Sequence, residues 1–223
     1  MKTHTDITPD IARFNMVEQQ IRPWQVLDLN VLSLLSRLDR HEFVPEAYQS
    51  LAYSDTEIPL LHGETMLAPR VAARLAQDLL LKPTDRVLEI GTGSGYLTAL
   101  LASLSATVLS LECHADLLAQ AHTHLQQAGI ANAQLRQSSG LPIDLPQASF
   151  DAIVLTGSVA QVPTELLELL KAGGRLMAVV GEEPIMQATR FTRASHGDVH
   201  TQVMWDVVLQ RLHGFAQAPA FQF

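Results

Sequence analysis

The fold is decided by one stretch, Arg86-Val87-Leu88-Glu89-Ile90-Gly91-Thr92-Gly93-Ser94-Gly95-Tyr96. Val87, Leu88 and Ile90 form a short apolar run, the mark of a strand buried on both faces. The run breaks into Gly-Thr-Gly-Ser-Gly, and a helical segment, Leu97 to Leu104, follows at once. Strand, glycine turn and helix start together predict a nucleotide cradle. Glycine permits positive φ and removes side chains where a backbone must touch a ligand. The candidate cradle residues are therefore Gly91, Thr92, Gly93, Ser94 and Gly95.

A nicotinamide-dinucleotide fold would read G-x-G-x-x-G, but Tyr96 stands at the third glycine. The pattern here is E-x-G-x-G-x-G, with Glu89, the acid ahead of the loop, counted among the cofactor-binding residues. It resembles motif I of class I S-adenosylmethionine-dependent methyltransferases. The next apolar run, Thr107 to Leu111, ends in Glu112, one helix and one strand further on. An acid at that place commonly takes a ribose hydroxyl pair, and its plain alternative is a solvated strand-end residue.

Composition sets limits. Of 223 residues 47% are hydrophobic, ample for one large α/β domain. No apolar run reaches a membrane span, and the N-terminal stretch lacks a hydrophobic signal region, so a cytoplasmic protein without membrane contact is expected. The net charge of −8 and the lack of basic clusters speak against nucleic acid as a partner. The single cysteine, Cys113, fits a reducing compartment and reads as an inert thiol. The nine histidines show no metal-binding spacing, and no metal site is expected from them.

Along the chain, a polar lead-in ends in Thr8-Pro9-Asp10, and helical periodicity covers 11–21 and 26–38. Helices ahead of the first strand are expected to cap the C-terminal edge of the sheet. A long loop, Tyr53 to Pro69, precedes a helix over 71–80, and loops of that length in compact domains are usually functional. After Glu112 come a helix over 116–128 closed by Gly129, a strand at 133–136, a strand at 150–156, a short helix from Pro163 to Leu170 and a strand at 175–180. Residues 185–192 and 201–209 alternate like an edge hairpin turning at Gly197-Asp198, and the tail after Gly214 reads as weakly ordered. The predicted fold is a Rossmann-like, doubly wound, mostly parallel sheet with an N-terminal helical extension and a C-terminal antiparallel hairpin. It forms a single domain, with 1–69 as the helical and substrate-loop extension and 70–223 as the cofactor-binding core.

Several segments ahead of the glycine loop narrow the reading. They are Arg40-His41-Glu42-Phe43-Val44-Pro45, Ala52-Tyr53-Ser54-Asp55 and Gly63-Glu64-Thr65-Met66-Leu67-Ala68-Pro69. With Val87 to Tyr96, Phe150-Asp151-Ala152-Ile153, Gly173-Gly174-Arg175-Leu176 and Gly181-Glu182, the chain resembles the protein-L-isoaspartate (D-aspartate) O-methyltransferase family. The resemblance implies transfer of a methyl group from S-adenosyl-L-methionine to the side carboxylate of isoaspartyl residues in damaged proteins or peptides, which then close to a succinimide. It also implies that the loop over 62–69 orients that carboxylate.

The loop departs from the family twice. Leu67 stands at the family's serine position and Glu64 at its glutamine, while Thr65 remains as a donor; these three are the candidate acceptor-site residues. Ser138-Ser139-Gly140 stands where the family has G-D-G beside the adenine, so Ser139 and Gly140 complete the expected cofactor set. Three readings stay open: an isoaspartyl enzyme with a rearranged loop, a methyltransferase for a neutral or basic acceptor with Glu64 as base or cation anchor, and a cofactor-binding protein without catalysis.

Overall fold

The computed structural model describes residues 8–139, 141 and 144–216. Helix α1 (Pro9–Asn15) opens the chain, with the Thr8 side chain accepting from Ile11 N–H. It runs into a wide π-helical turn, Met16–Ile21, and a 3₁₀ turn, Arg22–Trp24. The expected helix over 11–21 is thus α-helical only in its first half. The wider turn puts Met16, Val17 and Ile21 into the core together. Helix α2 (Leu29–Arg37) is capped by Asp28, whose carboxylate accepts from Asn30 and Val31 N–H at 2.8 and 3.1 Å.

The long loop is not structureless. It holds a minimal hairpin, β1 (Ile58–Pro59) and β2 (Thr65–Met66), closed by a 3₁₀ turn at Leu61–Gly63. Helix α3 (Pro69–Asp78) follows, buried along Val71, Ala72, Leu75 and Ala76. The core alternates through β3 (Arg86–Ile90), α4 (Tyr96–Leu104), β4 (Thr107–Glu112), α5 (Ala115–Gln127), β5 (Ala133–Gln137), β6 (Phe150–Val159) and α6 (Thr164–Glu168). It ends in β7 (Leu170–Glu182), β8 (Ile185–Arg193) and β9 (Val199–Asp206).

Seven strands form one sheet in the order β5-β4-β3-β6-β7-β8-β9, parallel through β7 and antiparallel from β7 to β9. Period-two alternation along β3 divides two apolar layers. Val87 faces the layer of α3, α4 and the N-terminal helices, with Val108 and Ala152 as register neighbours. Leu88 and Ile90 face the other layer, packed with Leu109, Leu111, Ile153, Leu155 and Leu166 of α6. The doubly wound, mostly parallel sheet with its antiparallel C-terminal hairpin is as expected. Gly129, at φ +71°, ends α5, and Gly197 sits in the turn between β8 and β9.

Two placements differ from the sequence reading. Helix α2 packs on α3 and α4 at one face of the sheet, and the segment that reaches over the C-terminal edge is the β1–β2 loop that follows it. The last strand stops at Asp206, and the chain then returns to β6: Ser158 N–H donates to Gln210 O at 2.8 Å and Leu212 N–H to Ser158 O at 3.0 Å. Phe215 is buried, so the chain beyond Gly214 still packs on the core. Residues 217–223 of the expected loose tail, and residues 1–7 of the lead-in, lie outside the described part.

A buried arginine ties the start of the sheet to α3. Arg175 on β7 pairs with Asp85 and donates to the carbonyls of Leu79, Leu80 and Asp151. Both side chains are nearly closed to solvent. Removing one partner strands a buried charge and three acceptors, which costs about 3–5 kcal/mol. Arg175→Met is therefore expected to lose that much in urea unfolding; a loss near zero would show the pair to be screened.

Candidate active site

An open cleft of about 950 Å³, counted with its solvent-open part, lies at the C-terminal ends of β3, β4 and β6. This is the switch point of the sheet, where the chain leaves β3 for β4 on one side and has β6 on the other. Gly91, Thr92, Gly93 and Ser94 form its floor. Gly91 has φ +98°, and a Cβ there would lie 2.1 Å from Thr156 Oγ1, so no side chain fits where the loop passes β6. Gly93 has φ +53° but only an ordinary contact in the Cβ position, so its need for glycine comes from the backbone angle and the cleft it borders.

Glu89 is not at the cleft surface. Alternation along β3 sends it toward α4, fully buried, where its carboxylate accepts from Thr98 and Ser110 hydroxyls. Ser110 Oγ lies 2.6 Å from Thr92 Oγ1, so a hydroxyl relay joins Glu89 to the loop. The acid ahead of the glycines therefore supports the cradle from beneath, which corrects the sequence assignment of direct cofactor contact. Burial pushes its carboxyl up to about 7, with the two hydroxyl bonds opposing and the nearby Glu112 charge adding to the rise.

Glu112 does reach the cleft. It is 5% exposed, so the solvated strand-end reading fails. One oxygen accepts from Gly93 N–H at 2.9 Å, and the other from Cys113 and His114 N–H at 2.9 and 3.0 Å. The carboxylate thus latches the glycine loop to the start of α5. The Cys113 thiol also donates to this second oxygen, at 3.4 Å, so the free acceptor capacity lies on the oxygen that takes Gly93 N–H alone, enough for one ligand hydroxyl rather than a pair. Burial and the Glu112 charge push the Cys113 thiol up to about 11, as suits an inert cysteine. At the end of β5 it is Ser138 that borders the cleft; Ser139 is exposed, and Gly140 lies outside the described residues.

The acceptor side is built from the β1–β2 loop and the returning segment after β9. Leu67 borders the cleft with its side chain partly buried in the core, and its carbonyl accepts from Arg40 Nη2 at 2.8 Å. Arg40 is fully buried, donates also to Ala52 O and lies over the Tyr96 ring at 4.8 Å. Burial lowers its guanidinium to about 10. Arg40 therefore pins both ends of the loop. Thr65 borders the cleft with its hydroxyl 3.3 Å from Gln210 Oε1.

Glu64 is not a bare charge. Its Oε1 lies 2.8 Å from His213 Nε2 and 3.4 Å from His114 Nε2. Gln210, Arg211, Leu212 and His213 all border the cleft, and the sequence reading missed them. They follow the last strand in a mixed stretch, Val207 to His213, with neither strand nor helix periodicity, so only the return to β6 brings them in.

The raised carboxyl of Glu89 has a sign that can be tested. Unfolded, it titrates near 4.5; folded, near 7. Between these values the folded state holds the extra proton, so the contribution of Glu89 to stability falls as pH rises through that window and stays low above it. The full span corresponds to about 3 kcal/mol. Unfolding of wild type and Glu89→Gln, compared at pH 5 and pH 8, should show wild type losing more stability with rising pH. Parallel curves would mean that Glu89 is ionised throughout.

The family model described as protein-L-isoaspartate (D-aspartate) O-methyltransferase matches residues 13–212. A protein-L-isoaspartate O-methyltransferase of Syntrophus aciditrophicus is 41% identical over 183 residues, covering 82% of this chain and 84% of its own. One from Methanoculleus marisnigri is 40% identical over 169 residues, covering 76% and 77%. In fold, the chain is similar to a Plasmodium falciparum protein-L-isoaspartate O-methyltransferase structure in complex with S-adenosyl-L-homocysteine. The TM-score is 0.74 at 23% identity, with 89% of this chain and 96% of that one covered. With the family model matching residues 13–212 and relatives at 40–41% identity over most of both chains, this chain belongs to the protein-L-isoaspartate (D-aspartate) O-methyltransferase family.

Proposed function

We propose that the protein methylates the side carboxylate of isoaspartyl residues in proteins or peptides, with S-adenosyl-L-methionine as donor. Family membership over residues 13–212 is the observation that carries this reading. The cleft suits the donor on its own terms. Its floor offers bare glycine backbone at Gly91 and Gly93, and a carboxylate with one spare acceptor site stands at the end of β4. Gly91 to Gly95 would hold the amino-acid part, Glu112 one ribose hydroxyl and Ser138 the base side. When bound, the donor supplies a methyl group activated by a sulfonium.

The acceptor carboxylate has a pKa of about 4 and is an anion at neutral pH, so no general base is needed. The residues of this chain have to orient an oxygen and keep water away. Leu67, Met66 and Leu97 line an apolar side of the cleft that excludes water. Thr65 offers a hydroxyl, and Arg40 holds the loop backbone that carries it. The His114 and His213 ring nitrogens lie 3.4 and 2.8 Å from Glu64 Oε1, so that carboxylate oxygen faces imidazoles rather than standing bare beside the acceptor. This geometry favours the isoaspartyl reading over a neutral or basic acceptor, because the Glu64 carboxylate is already engaged.

Turnover of an isoaspartyl peptide against its ordinary aspartyl counterpart tests the reading, with methyl transfer expected to the former alone. Leu67→Ser should raise kcat/KM, by up to about ten- to hundred-fold, since one hydrogen bond to a charged group is worth roughly 1.5–3 kcal/mol. Donor affinity should not change, because Leu67 sits on the acceptor side. A folded, donor-binding wild type with no transfer to the isoaspartyl peptide would overturn the assignment.

A further inference from the structure

Three segments far apart in sequence converge at the edge of the cleft. Glu64 follows the 3₁₀ turn of the β1–β2 loop, His114 is the residue before α5, and His213 belongs to the segment returning from β9. One potential ligand atom from each of Glu64, His114 and His213 lies within 4.8 Å of the other two, and Glu64 Oε1 is 2.8 Å from His213 Nε2 and 3.4 Å from His114 Nε2. Two of the separations, 2.8 and 3.4 Å, approach the roughly 3.3 Å expected between ligand atoms of a tetrahedral ion with bonds of about 2.0–2.1 Å. Two imidazoles and one carboxylate are a donor set of catalytic zinc sites, which keep a fourth position open.

The surroundings hold one ligand in place. The His62 ring stacks on the His114 ring at 4.2 Å and 10°, and His62 Nε2 is fixed by the Asp116 carboxylate at 2.8 Å. The stack fixes the plane of the His114 ring, and the Asp116 bond fixes the ring it stacks on. His62 itself takes φ +60°, an uncommon angle for a residue other than glycine. The Glu64 and His114 side chains are 21% and 27% exposed and that of His213 is 62%, so the trio is sheltered yet open to an entering ion.

We propose that Glu64, His114 and His213 form a binding site for one divalent transition-metal ion of the zinc class at the mouth of the acceptor side. Local spacing hides it, since the three ligands are contributed by three different elements. A divalent ion on one carboxylate leaves the trio with a net charge of +1, opposite in sign to the acceptor carboxylate. This consequence for the acceptor rests on the isoaspartyl reading; the metal site does not.

The test is titration of chelator-treated protein with zinc alone, in competition with a chromophoric chelator, and with cobalt for its ligand-field absorption. One equivalent per chain is expected, with cobalt bands of a low-coordinate nitrogen and oxygen site. Glu64→Gln and His213→Ala should each weaken zinc by more than about 100-fold, beyond the usual effect of losing a supporting residue. His200→Ala, on β9 away from the trio, should leave it unchanged. Thermal unfolding without metal serves as the check that each variant is folded. Wild type that binds zinc no better than the Glu64→Gln/His213→Ala double variant would overturn the site and leave an ordinary hydrogen-bonded cluster. If zinc binds at the trio but the KM for an isoaspartyl peptide is the same with and without it, the acceptor role falls while the site stands.

Discussion

The cleft depends on what the Glu112 carboxylate does at the end of β4. It takes N–H groups from Gly93 on one side and from Cys113 and His114 on the other, and so couples the glycine loop to the start of α5. Charge-assisted bonds of this kind are about twice as strong as neutral ones, and here they form away from water. The loop is held from below as well, through Thr92, Ser110 and Glu89. Two acids of adjacent strands thus grip one five-residue loop from two layers. Only Glu112 keeps a lone pair toward the cleft.

The acceptor side rests on a different kind of anchor. Arg40, buried without a carboxylate partner bonded to it, donates from Nε to the carbonyl of Ala52 and from Nη2 to that of Leu67, while Nη1 has no partner among the described residues. A buried arginine is costly unless hydrogen-bonded, so the loop backbone cannot shift without exposing that cost. The side chains on this pinned backbone are consequently free to differ. A leucine at position 67 and a glutamate at position 64 change the chemistry offered to an acceptor while the carbonyl positions stay set. The histidines that meet Glu64 come from elements outside the loop.

Much of the core was legible because its signals are local. The apolar run before Gly91, the glycine spacing and Gly129 at a helix end each state their geometry within a few residues. The π-helical turn at Met16–Ile21 was not legible, since three buried positions there obey a wider period than 3.6. Glu89 was read as a cofactor contact because the motif carries no indication of which face of β3 it occupies. Register with Ser110 and packing on α4 settle that it points inward. His114 and His213 lie 99 residues apart in a chain without a repeat, so only the return of the chain to β6 makes them neighbours. Sites assembled by topology leave no pattern in spacing.

The latch is the part of this account on which the donor cradle stands. Its most direct test is calorimetric titration of S-adenosyl-L-homocysteine into wild type and Glu112→Ala, with circular dichroism confirming that both are folded. Loss of the latch and of the spare acceptor should weaken binding about ten- to hundred-fold, as expected for one charge-assisted hydrogen bond. Equal affinity in the two proteins, or no heat from folded wild type, would contradict it.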